Sequence, residues 1–121
     1  MATIEIHRFL TSKQEVNHAC IEACIECLIA CEVCGDACLD EKMDMSECIR
    51  HDRTCADACT TALRVMARGG PLVAEVCTAC AEACDACAEE CEKHAMHHDH
   101  CRRCAEACRN CAAECRRMSV A

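Results

Sequence analysis

The sequence has no tryptophan, no tyrosine and a single phenylalanine, Phe9. An ordinary core in a 121-residue chain would use several aromatic rings, so something else has to fill the space between its elements. Apolar runs of bilayer length are also missing, because charges interrupt every hydrophobic stretch, and a membrane span is not expected. The first residues, MATIEIHRFLTSKQ, have no apolar core of signal-peptide length and carry Glu5, His7 and Arg8 where one would sit. A cytoplasmic location with reduced thiols is therefore expected. Nor is there a separable basic patch. The formal net charge is -8, with Arg102, Arg103, Arg109, Arg116 and Arg117 towards the C-terminus and Glu22, Glu26, Glu32 and Asp36 towards the other end. No nucleic-acid partner is expected, and both groups read as solvated or mutually pairing outer faces.

What the chain does have is cysteine, 19 residues of it. Cys77, Cys80, Cys84, Cys87 and Cys91 recur at steps of three and four, which is a helix period. Residues so spaced lie on one face, so the segment stacks its thiols in a stripe along the axis. The pattern repeats at Cys101, Cys104, Cys108, Cys111 and Cys115, and in a longer run at Cys20, Cys24, Cys27, Cys31, Cys34 and Cys38. A broken version carries Cys48, Cys55 and Cys59, which leaves no cysteine for a loop. The phrases CTACAEACDACAEEC and CRRCAEACRNCAAEC suggest a duplicated helix, with alanines that permit close helix approach.

Four thiol stripes predict an all-α, antiparallel up-down-up-down four-helix bundle with a cysteine-lined core, one domain over 1–121. The predicted helices cover about 12–41, 46–68, 71–94 and 98–118. Thr11 with Gln14 and Ser12 with Glu15 fit the capping-box pattern at the start of the first, which at about thirty residues would run about 45 Å and overhang its partners. Asp44 and Glu47 form a similar pair before the second. Gly69, Gly70 and Pro71 end that helix and start the next. Ile21, Ile25 and Leu28 make a second stripe for lateral packing.

A core built only for packing would use leucine and isoleucine, and disulfides fit poorly with an odd count placed side by side along single helices. The thiols are therefore expected to bind metal. Cu(I) is soft, takes few thiolates and carries one positive charge, so about one ion per thiolate would leave the buried core near neutral. A zinc or cadmium thiolate buffer of metallothionein type is the alternative, with four-coordinate sites and fewer ions. Iron–sulfur binding fits less well, because no cysteine precedes the only proline. A thiol redox enzyme is disfavoured because no cysteine stands apart from its neighbours.

The cysteine ladders, the weaker second helix and the histidine-rich turn from His94 to His100 together resemble the bacterial copper storage proteins, specifically their cytosolic branch. The resemblance covers roughly residues 11–118. It implies a homotetramer of bundles, each filled with many Cu(I) ions, and no catalytic reaction; a copper chaperone or efflux protein is the partner such a store would have. The second helix departs from the pattern where Asp52, with His51 beside it, holds an inward position between Cys48 and Cys55. In the predicted topology the first and third connections share an end, which gathers Met43, Met45, His51, His94, Met96, His97, His98 and His100. Imidazole and thioether bind Cu(I) more weakly than thiolate, so this end is expected to be the mouth that admits ions. His51 and His97, falling nearest the inward stripes, are the expected histidine ligands, ahead of His98 and His100.

Overall fold

The computed structural model describes residues 5–119. Four helices, α1 (His18–Cys38), α2 (Ser46–Ala67), α3 (Val73–Glu92) and α4 (Asp99–Ser119), make an all-α bundle. Each packs against its two neighbours in a closed ring, α1 on α2 and α4, and α3 on α2 and α4. Short connections between consecutive helices make neighbours antiparallel. The thiol period decides which faces turn inward: every cysteine is buried, with Cys38 the most exposed at 2%. Ala23, Ala56, Ala62, Ala81, Ala88, Ala105 and Ala112 are buried among them, and these small side chains let the helices close on a narrow interior. Ile21 is buried, and Ile25 and Leu28 pack against the core from the side. Outside, Arg109 pairs with Asp85 and Glu92, and Arg116 with Asp85, which ties α4 to α3.

The first helix is shorter than the expected span 12–41, and it does not overhang. At 21 residues its length matches its partners, about 31 Å at the usual rise. The Thr11–Gln14 signal marks a turn instead: the Thr11 backbone N–H donates to Gln14 Oε1 at 2.9 Å, as in a capping box, but the chain continues into a 3-10 turn at Glu15–Asn17. Asn17 explains the late start. It is buried, and its side-chain amide donates to the Met66 carbonyl at 3.2 Å, so the α1 N-terminus is tied to the C-terminal end of α2. At the other end, Leu39, Asp40 and Glu41 close tight i to i+3 turns that take up the last carbonyls.

The remaining boundaries shift by one or two residues. Asp44 accepts from the Ser46 N–H at 3.0 Å at the start of α2. After α2, the Gly70 N–H reaches Val65 O at 2.9 Å and the Gly69 N–H reaches Met66 O at 3.0 Å, the paired bonds of a Schellman ending. Gly69 has φ 77°, in the left-handed region. Pro71 precedes α3 and is not its first residue, because Leu72 also takes a positive φ of 72° before the helix begins at Val73.

A Cβ added at Gly69 would meet Lys13 Cε at 2.5 Å, but the end of a flexible side chain can move aside, so the left-handed backbone is the larger cost. Gly69→Ala is expected to destabilise the reduced, metal-free protein by about 1 kcal/mol, read by urea unfolding followed by circular dichroism.

Candidate metal centre

The thiols form a continuous sulfur column inside the bundle. At one end Cys20 Sγ lies 3.6 Å from Cys115 Sγ, and Cys111 Sγ lies 3.7 Å from Cys24 Sγ. Further along, Cys27 Sγ is 3.6 Å from both Cys55 Sγ and Cys108 Sγ, Cys55 Sγ is 3.6 Å from Cys84 Sγ, and Cys80 Sγ is 3.7 Å from Cys59 Sγ. Next come Cys31 with Cys104 at 3.8 Å and Cys48 with Cys91 at 3.6 Å. All 19 cysteines are free thiols. Four-sulfur groups whose ligand atoms lie within 4.8 Å of one another include Cys24, Cys80, Cys111 and Cys115; Cys27, Cys55, Cys59 and Cys84; Cys27, Cys31, Cys55 and Cys108; and Cys31, Cys87, Cys104 and Cys108. At a metal–sulfur distance of about 2.3 Å, trigonal and tetrahedral sites have sulfur–sulfur edges of about 4.0 and 3.8 Å, so the column accepts soft ions with little movement of the helices.

The groups share members. Cys27, Cys31, Cys55 and Cys108 each belong to two of them, so a metal in one group would use sulfurs that the next group needs. Such sulfurs can serve as bridges: the group of Cys27, Cys31, Cys55 and Cys108 draws all four of its sulfurs from two neighbours that share none with each other, so the column offers more ion positions than separate four-coordinate sites would.

The two ends of the column differ. Near Cys20 and Cys115, Met66 is fully buried, and Ile6, Leu10, Leu63, Val73, Val76 and Met118 pack against the core. This end is apolar and plugged. At the opposite end Cys34, Cys38 and Cys101 come together with His100. His100 Nδ1 lies 3.3 Å from Cys34 Sγ and 3.6 Å from Cys101 Sγ. Burial pushes the Cys101 thiol up to about 12 and raises Cys38 as well, with the charge of a Cys48 thiolate adding to both, so an arriving cation must displace protons here.

The expected histidine pair is not the one brought to the sulfurs. His97 is exposed on the turn and His51 is half-buried on α2, and among the described residues neither ring is hydrogen-bonded. His51 sits on the flank of α2, one residue from the inward Asp52, and His97 faces outward from the connection. His100 succeeds because it lies in the first turn of α4, one residue before Cys101, and so reaches Cys34 on α1. Its adjacency to Cys101 was the available signal, but choosing among the turn's histidines required knowing where α4 begins.

Asp52 is the carboxyl group in the column, 1% exposed. Its Oδ1 accepts from Cys87 at 3.2 Å, Cys104 at 3.3 Å and Cys91 at 3.7 Å, and its Oδ2 from Cys48 at 3.9 Å. On the facing α1, Gly35 packs beside this side chain, and even a Cβ there would make only ordinary van der Waals contact, 3.5 Å from Asp52 Cβ and 3.8 Å from Oδ2. Burial, and then the nearby Cys104 and Cys48 sulfurs, which repel the carboxylate when they ionise, push Asp52 up to about 8 from its ordinary 3.8. Between those values the folded chain holds a proton that the unfolded chain has lost. The stabilisation is therefore complete at the acidic end and is lost as pH rises towards about 8. Thermal unfolding of the reduced, metal-free protein is expected to show stability falling over that range, and Asp52→Asn to flatten the slope and be the more stable at pH 8.

Comparison with known proteins agrees with this centre. The sequence profile described as "Copper storage protein" matches residues 13–120. An uncharacterized cysteine-rich protein of Bacillus subtilis, YhjQ, is 47% identical over 89 residues, which is 72% of this chain and 81% of the relative. The Cu(I)-bound copper storage protein BsCsp3 superposes with a TM-score of 0.81 at 48% identity, covering 86% of this chain and 98% of that one. A cytosolic copper storage protein from Streptomyces lividans, with five coppers, superposes with a TM-score of 0.85 at 43% identity, covering 90% of this chain and 96% of that one. A cysteine-filled bundle matched by the family profile along nearly all its length leads to one conclusion: the chain belongs to the copper storage protein family.

Proposed function

We propose that this protein is a high-capacity Cu(I) store of the cytosol, which holds its ions on the core thiolates and catalyses no reaction. The sharing of sulfurs between neighbouring groups is the observation that carries this reading. Bridging thiolates allow an ion count close to the number of sulfurs, and one Cu(I) per thiolate removes most of the charge that a buried sulfur column would otherwise hold. Isolated zinc or cadmium sites would each need four sulfurs to themselves and would hold far fewer ions than there are thiols. The relatives' recorded copper-bound states support the same metal. The absence of a helix long and apolar enough to cross a membrane is compatible with a cytosolic store.

The proposed ligands are the 19 cysteines together with His100, which takes the place first expected for His51 and His97. Ions pass through the end that carries His100, because the other end is plugged around Met66. The working assembly is a homotetramer. Ile29 and Val33, each 58% exposed on α1, flank a groove with Ala30 and Arg103 and give the bundle an apolar face for self-association. A copper chaperone or efflux protein completes the traffic at the mouth.

Anaerobic titration of the reduced protein with Cu(I), against a competing chromophoric chelator, is expected to saturate near one ion per cysteine. Saturation at about a quarter to a third of that would point to separate four-coordinate sites and defeat the reading. His100→Ala is expected to slow copper loading about tenfold, and by more than the double change His51→Ala with His97→Ala. The reverse order, seen by stopped-flow transfer from the chelator, would restore the expectation drawn from the sequence.

A further inference from the structure

The segment before α1 lies over the plugged end of the column. Ile6 and Leu10 pack against the core there, at the two ends of a 3-10 turn, Ile6–Phe9, that also carries His7. The turn has no side-chain cap, and its backbone bonds are Arg8 N–H to Glu5 O at 3.4 Å and Leu10 N–H to His7 O at 3.1 Å. His7 reaches back to α1. Its ring stands edge to face against that of His18, with centroids 5.6 Å apart and planes at 70°. Glu22, one helical turn beyond His18, brings its Oε1 to His18 Nε2.

Two imidazoles and a carboxylate thus meet at one spot. His18 Nε2 and Glu22 Oε1 touch without the alignment of a hydrogen bond, so this nitrogen, closed off from solvent, has no hydrogen-bond partner. A buried polar atom in that state is short of a ligand. Two nitrogens and one carboxylate oxygen, with a fourth position for water, are a donor set that zinc and similar divalent ions accept. At a metal–nitrogen length of about 2.1 Å, two imidazoles on one tetrahedral ion have ring centres about 5.2 Å apart, against the 5.6 Å found. Glu22 has only to draw back from His18 to admit the ion, and its unbranched side chain is 48% exposed. The set is harder than the sulfur column, so the two places select different metals.

We propose that His7, His18 and Glu22 form a site for a divalent cation of the zinc class, separate from the thiols, and that the bound ion clasps the N-terminal turn onto α1. The inference goes beyond copper storage and does not depend on it. His18 and Glu22 are set by the first turns of α1, whereas His7 is set by the 3-10 turn, so an ion held by all three joins the segment to the bundle. Binding involves no change of oxidation state. The ion exchanges water for two nitrogens and an oxygen, and any proton on His18 leaves to solvent. Ile6 and Leu10 flank His7 in the chain, so the apolar cover of the plugged end is then held by metal as well as by packing.

The test is limited proteolysis of the full chain with its thiols engaged by Cu(I) and Zn(II) as the probe. Trypsin cleaves after Arg8, which is exposed beside His7. Zn(II) at about ten times its dissociation constant is expected to slow that cleavage about tenfold, followed by mass spectrometry, because cleavage requires release of the turn. His7→Ala, His18→Ala and Glu22→Ala should each lose the protection while circular dichroism shows an intact bundle. His7 lies outside the four helices, so its variant reports on the site even if the other two disturb α1. Co(II) in place of zinc should give the weak visible bands of a nitrogen and oxygen site, without the intense near-ultraviolet band of cobalt–thiolate. Should the thiols not take Cu(I), the difference in zinc protection between wild type and His7→Ala on the reduced, metal-free chain still reads the site. Cleavage indifferent to Zn(II) in the wild type, equal protection in His7→Ala, or a spectrum of cobalt–thiolate alone would each overturn the clasp and leave His18 and Glu22 as a plain ion pair.

Discussion

The distance between neighbouring sulfurs, close to 3.6–4.0 Å through the length of the core, is the constraint on which the rest of the molecule depends. A thiol is short, so sulfurs from facing helices meet at that distance only where the backbones approach closely. Alanine at the buried positions between the ladders permits that approach, and a larger residue there would force the helices apart. Aromatic residues are excluded by the same geometry, which accounts for the near absence with which the sequence is marked. The surface responds in turn: helices drawn this close bring Asp85 within reach of both Arg109 and Arg116.

The bundle and its inward face were legible because a period of three and four is a local signal that survives folding unchanged. Every cysteine so identified is buried. The start of α1 was not legible, because Thr11 and Gln14 make the same side-chain bond at an isolated turn as at a helix start, and the choice was made by Asn17 reaching Met66 on another helix. The nearness of His100 to the sulfurs was not legible for a related reason. His51 was ranked by its place beside an inward stripe, yet half a side chain's rotation separates the flank of a helix from its core face. His100 was passed over because its value depends on α1, α4 and the first connection meeting at one end. Tertiary closure decided both cases, and single-helix periodicity carries no information about it.

Asp52 shows how a departure from the pattern is accommodated. An inward carboxylate among thiols is costly by burial, and the chain answers it with thiol partners on both oxygens. At that level a hard oxygen donor interrupts an otherwise uniform column of soft sulfur. Cys34, Cys38 and Cys101, grouped with His100, lie at the end of the column nearer the first and third connections.

With entry proposed at the His100 end, the apolar side chains around Met66 and Met118 would give the column a direction. In a tube closed at one end, arrivals cannot pass those already seated, and the deepest positions near Cys20 and Cys115 exchange with the outside only after the shallower ones have given way. Shared sulfurs let an ion step inward from one group to the next, but the sequence of departure is the reverse of arrival. The contents of such a column behave as a stack, last in and first out, and the ions nearest the plug form its slowest-turning reserve.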